Sequence, residues 1–244
     1  MLKNLLILGG TTEASSLAYL ISKTEFNATI SYAGRVKDIR QQPINKIIGG
    51  FGGVDGLSSY IISNEITHLV DATHPFAVQI SKNAILASQK TGIQHATLTR
   101  TQWQKLKGDN WHLVHDVKAA AAMLNSNPRR VMLAIGRMHL EQFYDNTQHF
   151  YLLRLLDKPK ESLLFPNYVI EVSRGPFTTE QDKILLSKHK IDLIVAKNAG
   201  GNATYAKIEA ARQLGIQIIM IERPLIPDGL IFYNPEEVIQ WLSL

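Results

Sequence analysis

The stretch Leu5-Leu6-Ile7-Leu8-Gly9-Gly10-Thr11-Thr12-Glu13-Ala14 decides how the chain is to be read. Four consecutive apolar residues indicate a strand buried on both faces, since a strand wet on one side alternates apolar with polar. The glycine pair ends that strand in a tight turn. From residue 12 to 21 apolar side chains recur at helical spacing, with Ala14, Leu17, Ala18 and Ile21 on one stripe. Strand, glycine turn and helix in that order open a βαβ unit, the building block of a parallel sheet.

The alternation continues outward from there. Strands are expected at 28–32 and 68–71, a short apolar piece at 47–48, and helices at 54–63 and 75–91, the second opened by Pro75 and closed by Gly92. A strand at 96–99 ends this series, and the polar stretch 100–110 reads as a linker. Beyond it, strands are expected at 112–114, 131–135, 150–155, 168–172, 193–196 and 218–221. Helices are expected at 117–124, 138–144, 178–189, 204–214 and 235–242, and the spacing of Thr178 and Gln181 is that of a capping box. The fold class this predicts is α/β, with two Rossmann-like, doubly wound domains of mainly parallel sheets, residues 1–105 and 106–244.

The 244 residues hold 26 Lys and Arg against 21 Asp and Glu, a net charge of +5, so the surface favours an anionic ligand. With no cysteine there is no disulfide, thiolate nucleophile or iron–sulfur site, which suits a reducing cytoplasm. The apolar runs fall far short of the roughly 20 residues of a membrane-spanning helix. A cytoplasmic protein without membrane association is therefore expected. His112 and His115 come nearest to a metal pair but lack a third ligand, so no metal site is expected. Phosphate-loop, nucleophile-elbow and zinc-helix motifs are absent, and there is no aromatic stacking platform for nucleic acid. Oligomeric state is left open.

The first turn occupies the place of a dinucleotide-binding G-x-G-x-x-G. Gly9 can make the tight turn, Gly10 follows it, Thr11 stands where the second glycine usually lets phosphate approach, and Ala14 packs the helix on the strand. A helix N-terminus favours a pyrophosphate without any lysine, although a plain strand-to-helix turn has the same look. The second strand leads to Ala33-Gly34-Arg35, about 20 residues on, where an NAD site carries an acidic residue. A guanidinium donates to a ribose 2′-phosphate, so Arg35 favours NADPH, with NADH still possible and a solvated surface charge the plain alternative. Gly49-Gly50-Phe51-Gly52-Gly53 and Asp71-Ala72-Thr73-His74-Pro75-Phe76 follow further strands of the same half. The glycines let backbone approach a flat ring with Phe51 as one wall. His74 either orients the cofactor or delivers a proton, or simply caps the helix after it. In the second half, Arg137, Arg154, Arg174, Lys197, Lys207 and Arg223 stand at strand ends and turns, and Lys197 precedes a turn containing Gly200 and Gly201. Converging on one sheet edge, they would hold a polyanion; taken singly, each also reads as a surface charge.

Together with Ser173-Arg174-Gly175-Pro176-Phe177, Lys197-Asn198-Ala199-Gly200-Gly201 and Glu222-Arg223-Pro224, these motifs resemble those of the precorrin-6A and cobalt-precorrin-6A reductases of cobalamin biosynthesis, nearly end to end. The family often has Gly in place of Thr12 and Ser in place of Ala199. The resemblance implies that residues 1–105 hold a reduced nicotinamide nucleotide, through Gly9, Gly10, Thr11, Thr12, Glu13, Gly34, Arg35, Phe51, Gly52, Gly53, Asp71, Ala72 and Thr73. It further implies that residues 106–244 bind a tetrapyrrole polycarboxylate through the six cations and the Gly200-Gly201 turn, and that hydride passes to the macrocycle. The nicotinamide is expected near Phe51, Thr73 and His74, with His74, water or a substrate carboxyl as proton source. Two alternatives stand beside this: a non-catalytic dinucleotide sensor, which leaves the second-half cations without a task, and an NADPH-dependent reductase of another polycarboxylate.

Overall fold

The computed structural model describes residues 3–34, 41–124, 127–225 and 229–244. In chain order the elements are β1 (Asn4–Leu8), α1 (Thr12–Ile21), β2 (Asn27–Tyr32), β3 (Asn45–Ile48), α2 (Val54–Ser63), β4 (His68–Asp71), α3 (Val78–Thr91) and β5 (Gln94–Leu98). Then come β6 (Trp111–Val114), α4 (Val117–Ala122), β7 (Arg130–Ala134), a 3₁₀ segment (Arg137–Phe143), β8 (Phe150–Leu155), β9 (Tyr168–Val172) and α5 (Thr179–Lys188). The chain ends with β10 (Leu193–Lys197), α6 (Ala206–Leu214), β11 (Gln217–Ile221), β12 (Leu230–Phe232) and α7 (Pro235–Ser243).

Two six-stranded parallel sheets result, ordered β12-β5-β4-β1-β2-β3 and β6-β11-β10-β7-β8-β9. The α/β class read from the first turn is therefore the observed one. Along β1 the apolar run divides by parity. Leu5 and Ile7 pack with Ala14, Leu17 and Ile21 of α1 and Val238 and Leu242 of α7, while Leu6 and Leu8 pack with Leu57 and Ile61 of α2 and Ala84 and Ala87 of α3. Leu5 to Leu8 are essentially sealed from solvent, each such side chain contributing about 1.5–3 kcal/mol. In the second sheet Met132, Leu152, Ile194, Ala196 and Met220 form one core with Leu186 of α5 and Ile208 and Ala211 of α6. Among the described residues no helix is long and apolar enough to cross a membrane.

The chain divides into two compact units, residues 1–101 with 225–244, and residues 102–224. The expected division at 105/106 ran to the C-terminus, and the last twenty residues depart from it. β12 pairs with β5 and α7 covers α1, so both complete the first unit. β12 was not expected because three residues carry no readable periodicity. The unit boundary at 101/102 falls within the polar stretch 100–110, which is mostly exposed but anchored at two points. Trp103 and Asp109 are buried, and Asp109 binds Arg212 of α6 at 2.8 Å. Helix α3 starts at Val78 and not at Pro75, because the Ala77 N–H closes a separate turn on the His74 carbonyl at 2.7 Å and Ala77 lies outside helical dihedrals. The helix expected over 138–144 is a 3₁₀ segment, Arg137–Phe143, longer than such turns usually run.

Gly56 in α2 is fixed by packing: a Cβ there would sit 1.6 Å from the Phe51 carbonyl oxygen. Gly56→Ala is expected to cost about 1–3 kcal/mol or more, read as a lowered Tm by calorimetry. Gly50→Ala, where an added Cβ meets nothing among the described residues, is expected to leave Tm within a degree or so.

Candidate functional site

In the first sheet β1 lies between β2 and β4, and the crossovers leave it in opposite directions. Loops diverge at such a switch point and leave a crevice at the carboxyl ends of the strands. The Gly9-Gly10-Thr11 turn sits there. A Cβ on Gly9 would come within 2.9 Å of the Ile30 side chain, and the Gly9 N–H donates to the Ser31 carbonyl at 2.8 Å, so the turn is drawn tightly onto β2. Gly10 has φ of 129°, a conformation side chains disfavour. Thr11 is the N-cap of α1: its hydroxyl accepts the Ala14 N–H at 3.1 Å and donates to the Ala72 carbonyl at 2.8 Å. That oxygen is thus committed inside the fold, pinning the β1 turn to the β4 turn. What the turn offers a ligand is the first-turn N–H groups of α1.

Glu13 stands in that first turn, where its carboxylate accepts the Thr12 hydroxyl at 3.1 Å and pairs with Arg100 at 3.0 Å. Both side chains of the ion pair are largely buried. Sequence reading missed Arg100, whose only signal is its place just after the fifth strand. Asp71, buried at the end of β4, accepts the Thr73 N–H at 3.0 Å and the Thr73 hydroxyl at 2.6 Å, making a self-braced turn. His74 is exposed, and its Nδ1 accepts the Phe76 N–H at 3.2 Å. An Nδ1 that accepts leaves the proton on Nε2, so the ring as placed is a hydrogen-bond donor, and acting as an acid would require a second proton at the occupied nitrogen. Phe51 is half-buried against Tyr60, 5.0 Å between centroids, and belongs in part to the α2–α3 core. Gly52 and Gly53 have positive φ, 77° and 96°, and Gly34 closes β2 at 70°. Arg35 lies outside the described residues.

In the second unit Arg137 follows β7, Arg174 follows β9, Lys197 ends β10 and Arg223 follows β11, all at the carboxyl edge of the sheet. Arg137 and Arg174 are exposed. Arg154 and Lys207 are held internally instead. Arg154 makes a bidentate pair with buried Asp182 of α5 and lies over the Phe177 ring at 4.4 Å. Lys207 is buried in α6, donating to the Thr204 carbonyl at 2.6 Å with its ammonium 4.6 Å from the Trp103 ring. Arg223 donates to the Ala199 carbonyl at 3.0 Å, bracing the loop after β10.

That loop is built with unusual care. Asn198 accepts the Trp103 N–H at 2.9 Å and donates to its carbonyl at 3.0 Å, a side chain standing in for a paired strand, while the Trp103 indole N–H donates to the Gly201 carbonyl at 2.8 Å. Gly200 and Gly201 both have φ of 71°. Phe177 donates its N–H to the Ala203 carbonyl at 3.3 Å, and a Cβ on Gly175 would lie 2.9 Å from the same oxygen, which brings the 173–177 loop against the β10 loop. Trp103 was not singled out by sequence reading, and Asn198 entered only as part of a motif, without its role. Burial pushes the Lys197 ammonium down to about 8. His139, from the 3₁₀ segment, is held below its ordinary value by burial and then by the Lys197 charge, with Glu141 opposing. Among the described residues no cluster of His, Asp and Glu could hold a metal ion.

Comparison with known proteins bears on these sites. A family profile described as "Precorrin-6x reductase CbiJ/CobK" matches residues 4–243. The precorrin-6A reductase of Rhodobacter capsulatus is 46% identical over 239 residues, 98% of this chain and 95% of that protein. The cobalt-precorrin-6A reductase of Priestia megaterium is 30% identical over 98% of this chain and 97% of its own length. A solved structure titled "CobK precorrin-6A reductase" superposes with a TM-score of 0.95 at 46% identity, covering 99% of this chain and 96% of that one.

The cations separate by experiment. Asp182→Asn, which leaves the buried Arg154 charge uncompensated, is expected to lower stability by about 3–5 kcal/mol in urea unfolding, whereas Arg137→Gln at an exposed site is expected to leave it unchanged. In Lys197→Met the imidazole of His139 loses a repelling neighbour, so its titration midpoint by NMR is expected to rise relative to the parent protein.

Proposed function

The chain belongs to the precorrin-6x reductase family, which makes it an oxidoreductase of cobalamin biosynthesis, and on that footing we propose that it reduces the precorrin-6A macrocycle with NADPH. The observation that carries the nucleotide half of this reading is the β1 turn. Gly9 pressed on β2, Gly10 at positive φ and the Thr11 cap leave the first-turn N–H groups of α1 at the switch point, a cradle suited to a pyrophosphate. Glu13 would oppose an anion there, and Arg100 offsets it. Gly9, Gly10, Thr12 and Glu13 would hold the phosphates by backbone. The turns of Gly34, Phe51-Gly52-Gly53 and Asp71-Ala72-Thr73 stand at neighbouring strand ends for the nucleoside and nicotinamide portions, with His74 Nε2 as a donor. Arg35 would meet a ribose 2′-phosphate. When bound, the dinucleotide supplies the hydride.

For the substrate, Arg137, Arg174 and Lys197 are the cations on the carboxyl edge of the second sheet that suit the macrocycle's carboxylates, while Gly200 and Gly201 let backbone approach the flat ring. Arg154, Lys207 and Arg223 support the loops that carry them. The protein's contribution is chiefly orientation of two bound reactants, which accounts for several kcal/mol of barrier lowering.

Mixing protein, NADPH and precorrin-6A without oxygen is expected to give macrocycle-dependent loss of the near-ultraviolet absorbance of the reduced nicotinamide; no such loss overturns the reading. Arg174→Gln is expected to weaken macrocycle binding by roughly tenfold or more, the value of one charge-assisted hydrogen bond, with NADPH affinity unchanged. Arg35→Ala is expected to raise the Kd for NADPH more than that for NADH in fluorescence titration, and equal effects would remove the 2′-phosphate assignment.

A further inference from the structure

We propose that Lys197 is a catalytic residue: it gives the macrocycle the proton that accompanies hydride transfer. This rests on the reductase reading above and adds the proton source that reading leaves open.

Placement comes first. Lys197 is the last residue of β10, an interior strand lying between β7 and β11. Behind it Ala199 folds back, its N–H donating to the Lys197 carbonyl at 2.7 Å, and Gly200 and Gly201 follow without side chains. The loop is clamped by Asn198 on Trp103 and by Arg223 on the Ala199 carbonyl, so Lys197 is anchored on a fixed platform. It is half-buried, unlike exposed Arg137 and Arg174.

Chemistry separates it from the other candidates. A guanidinium does not release a proton near neutral pH, so Arg137, Arg174 and Arg223 can only bind. His74 already accepts the Phe76 N–H at Nδ1, leaving that nitrogen engaged. Burial places Lys197 at about 8, where the charged form dominates at neutral pH and yet gives up its proton readily. His139 of the 3₁₀ segment feels the Lys197 charge and, in the opposite sense, that of Glu141, while Arg223 binds the loop that follows Lys197. Burial and then the Lys197 charge disfavour the protonated form of His139, with Glu141 opposing.

The step balances. One carbon of a conjugated double bond accepts hydride from the reduced nicotinamide, and a C–H bond forms. The π electron pair moves to the neighbouring position, which takes a proton as an Nζ–H bond of Lys197 breaks. The ring has gained two electrons and two hydrogens, and neutral Lys197 regains its proton from water.

The test uses the full-length protein with NADPH and precorrin-6A under anaerobic conditions, comparing Lys197→Arg, which keeps the charge, with Lys197→Met, which does not. Both are expected to lose kcat by about 100-fold or more, the usual worth of a general acid. Lys197→Arg is expected to hold KM for the macrocycle within a few-fold. The wild-type kcat/KM profile is expected to fall on the alkaline side with a midpoint near pH 8, and the residual activity of both variants is expected to lack that fall. Full kcat with an unchanged profile in Lys197→Arg overturns the proposal and marks Lys197 as a binding charge only. Circular dichroism reports whether the variants fold. Should they not, the wild-type profile decides alone, because an active enzyme with no alkaline limb near pH 8 also overturns it. A wild-type protein that leaves NADPH unoxidised defeats the reductase reading instead, a separate failure.

Discussion

Parallel pairing sends the carboxyl ends of all six strands of a sheet to one edge, and both sheets here are parallel throughout their order. The residues proposed for binding and catalysis sit mostly at those strand ends and the turns after them. Parallel pairing also requires the interior strands to be buried on both faces, which explains why β1 carries four apolar residues in a row and why they divide between two helical layers, while the edge strands β3 and β12 stay largely exposed. The sixth strand of the first sheet comes from the far end of the chain, whereas that of the second is the first strand of its own unit. β12 completes the first sheet beside β5 although it follows β11, and β6 completes the second beside β11 although it follows β5. Each thereby covers an edge that would otherwise offer unpaired backbone groups.

Much of this was legible in the amino-acid order, because it is local. The apolar run and glycine pair at residues 5–10 specify strand and turn by their own composition, and the Thr178–Gln181 capping box forms as its spacing requires. Features that depend on residues far apart were not legible. Arg154 looks like any strand-end cation until Asp182, 28 residues on, is seen to neutralise it. Trp103 and Asn198 are 95 residues apart and bond as a strand pair would. Nothing in the local sequence of 100–110 shows that Trp103 bonds the β10 loop and Asp109 bonds α6. Thr11, placed by sequence where phosphate approaches, turns its hydroxyl inward instead, onto the Ala72 carbonyl 61 residues on.

The cations of the second unit therefore fall into two kinds. Arg154, Lys207 and Arg223 are spent on carbonyls, a carboxylate and aromatic faces, and their loss would be felt first in the fold. Arg137 and Arg174 remain exposed, while Lys197 is partly sealed and responds to burial as a guanidinium would not. A positive edge built this way has a rigid foundation and a few accessible charges, which suits recognition of a flat, many-armed acid better than a lysine-rich surface would.

The central claim is that hydrogen moves directly from a dinucleotide to a macrocycle carbon on this protein. The most direct measurement follows that hydrogen: NADPH deuterated at the transferable position of the nicotinamide, one turnover with precorrin-6A in ordinary water, and mass spectrometry with carbon NMR of the product. The expected result is one deuterium fixed on a single ring carbon. A reduced product free of deuterium, with the label in the solvent, would contradict it.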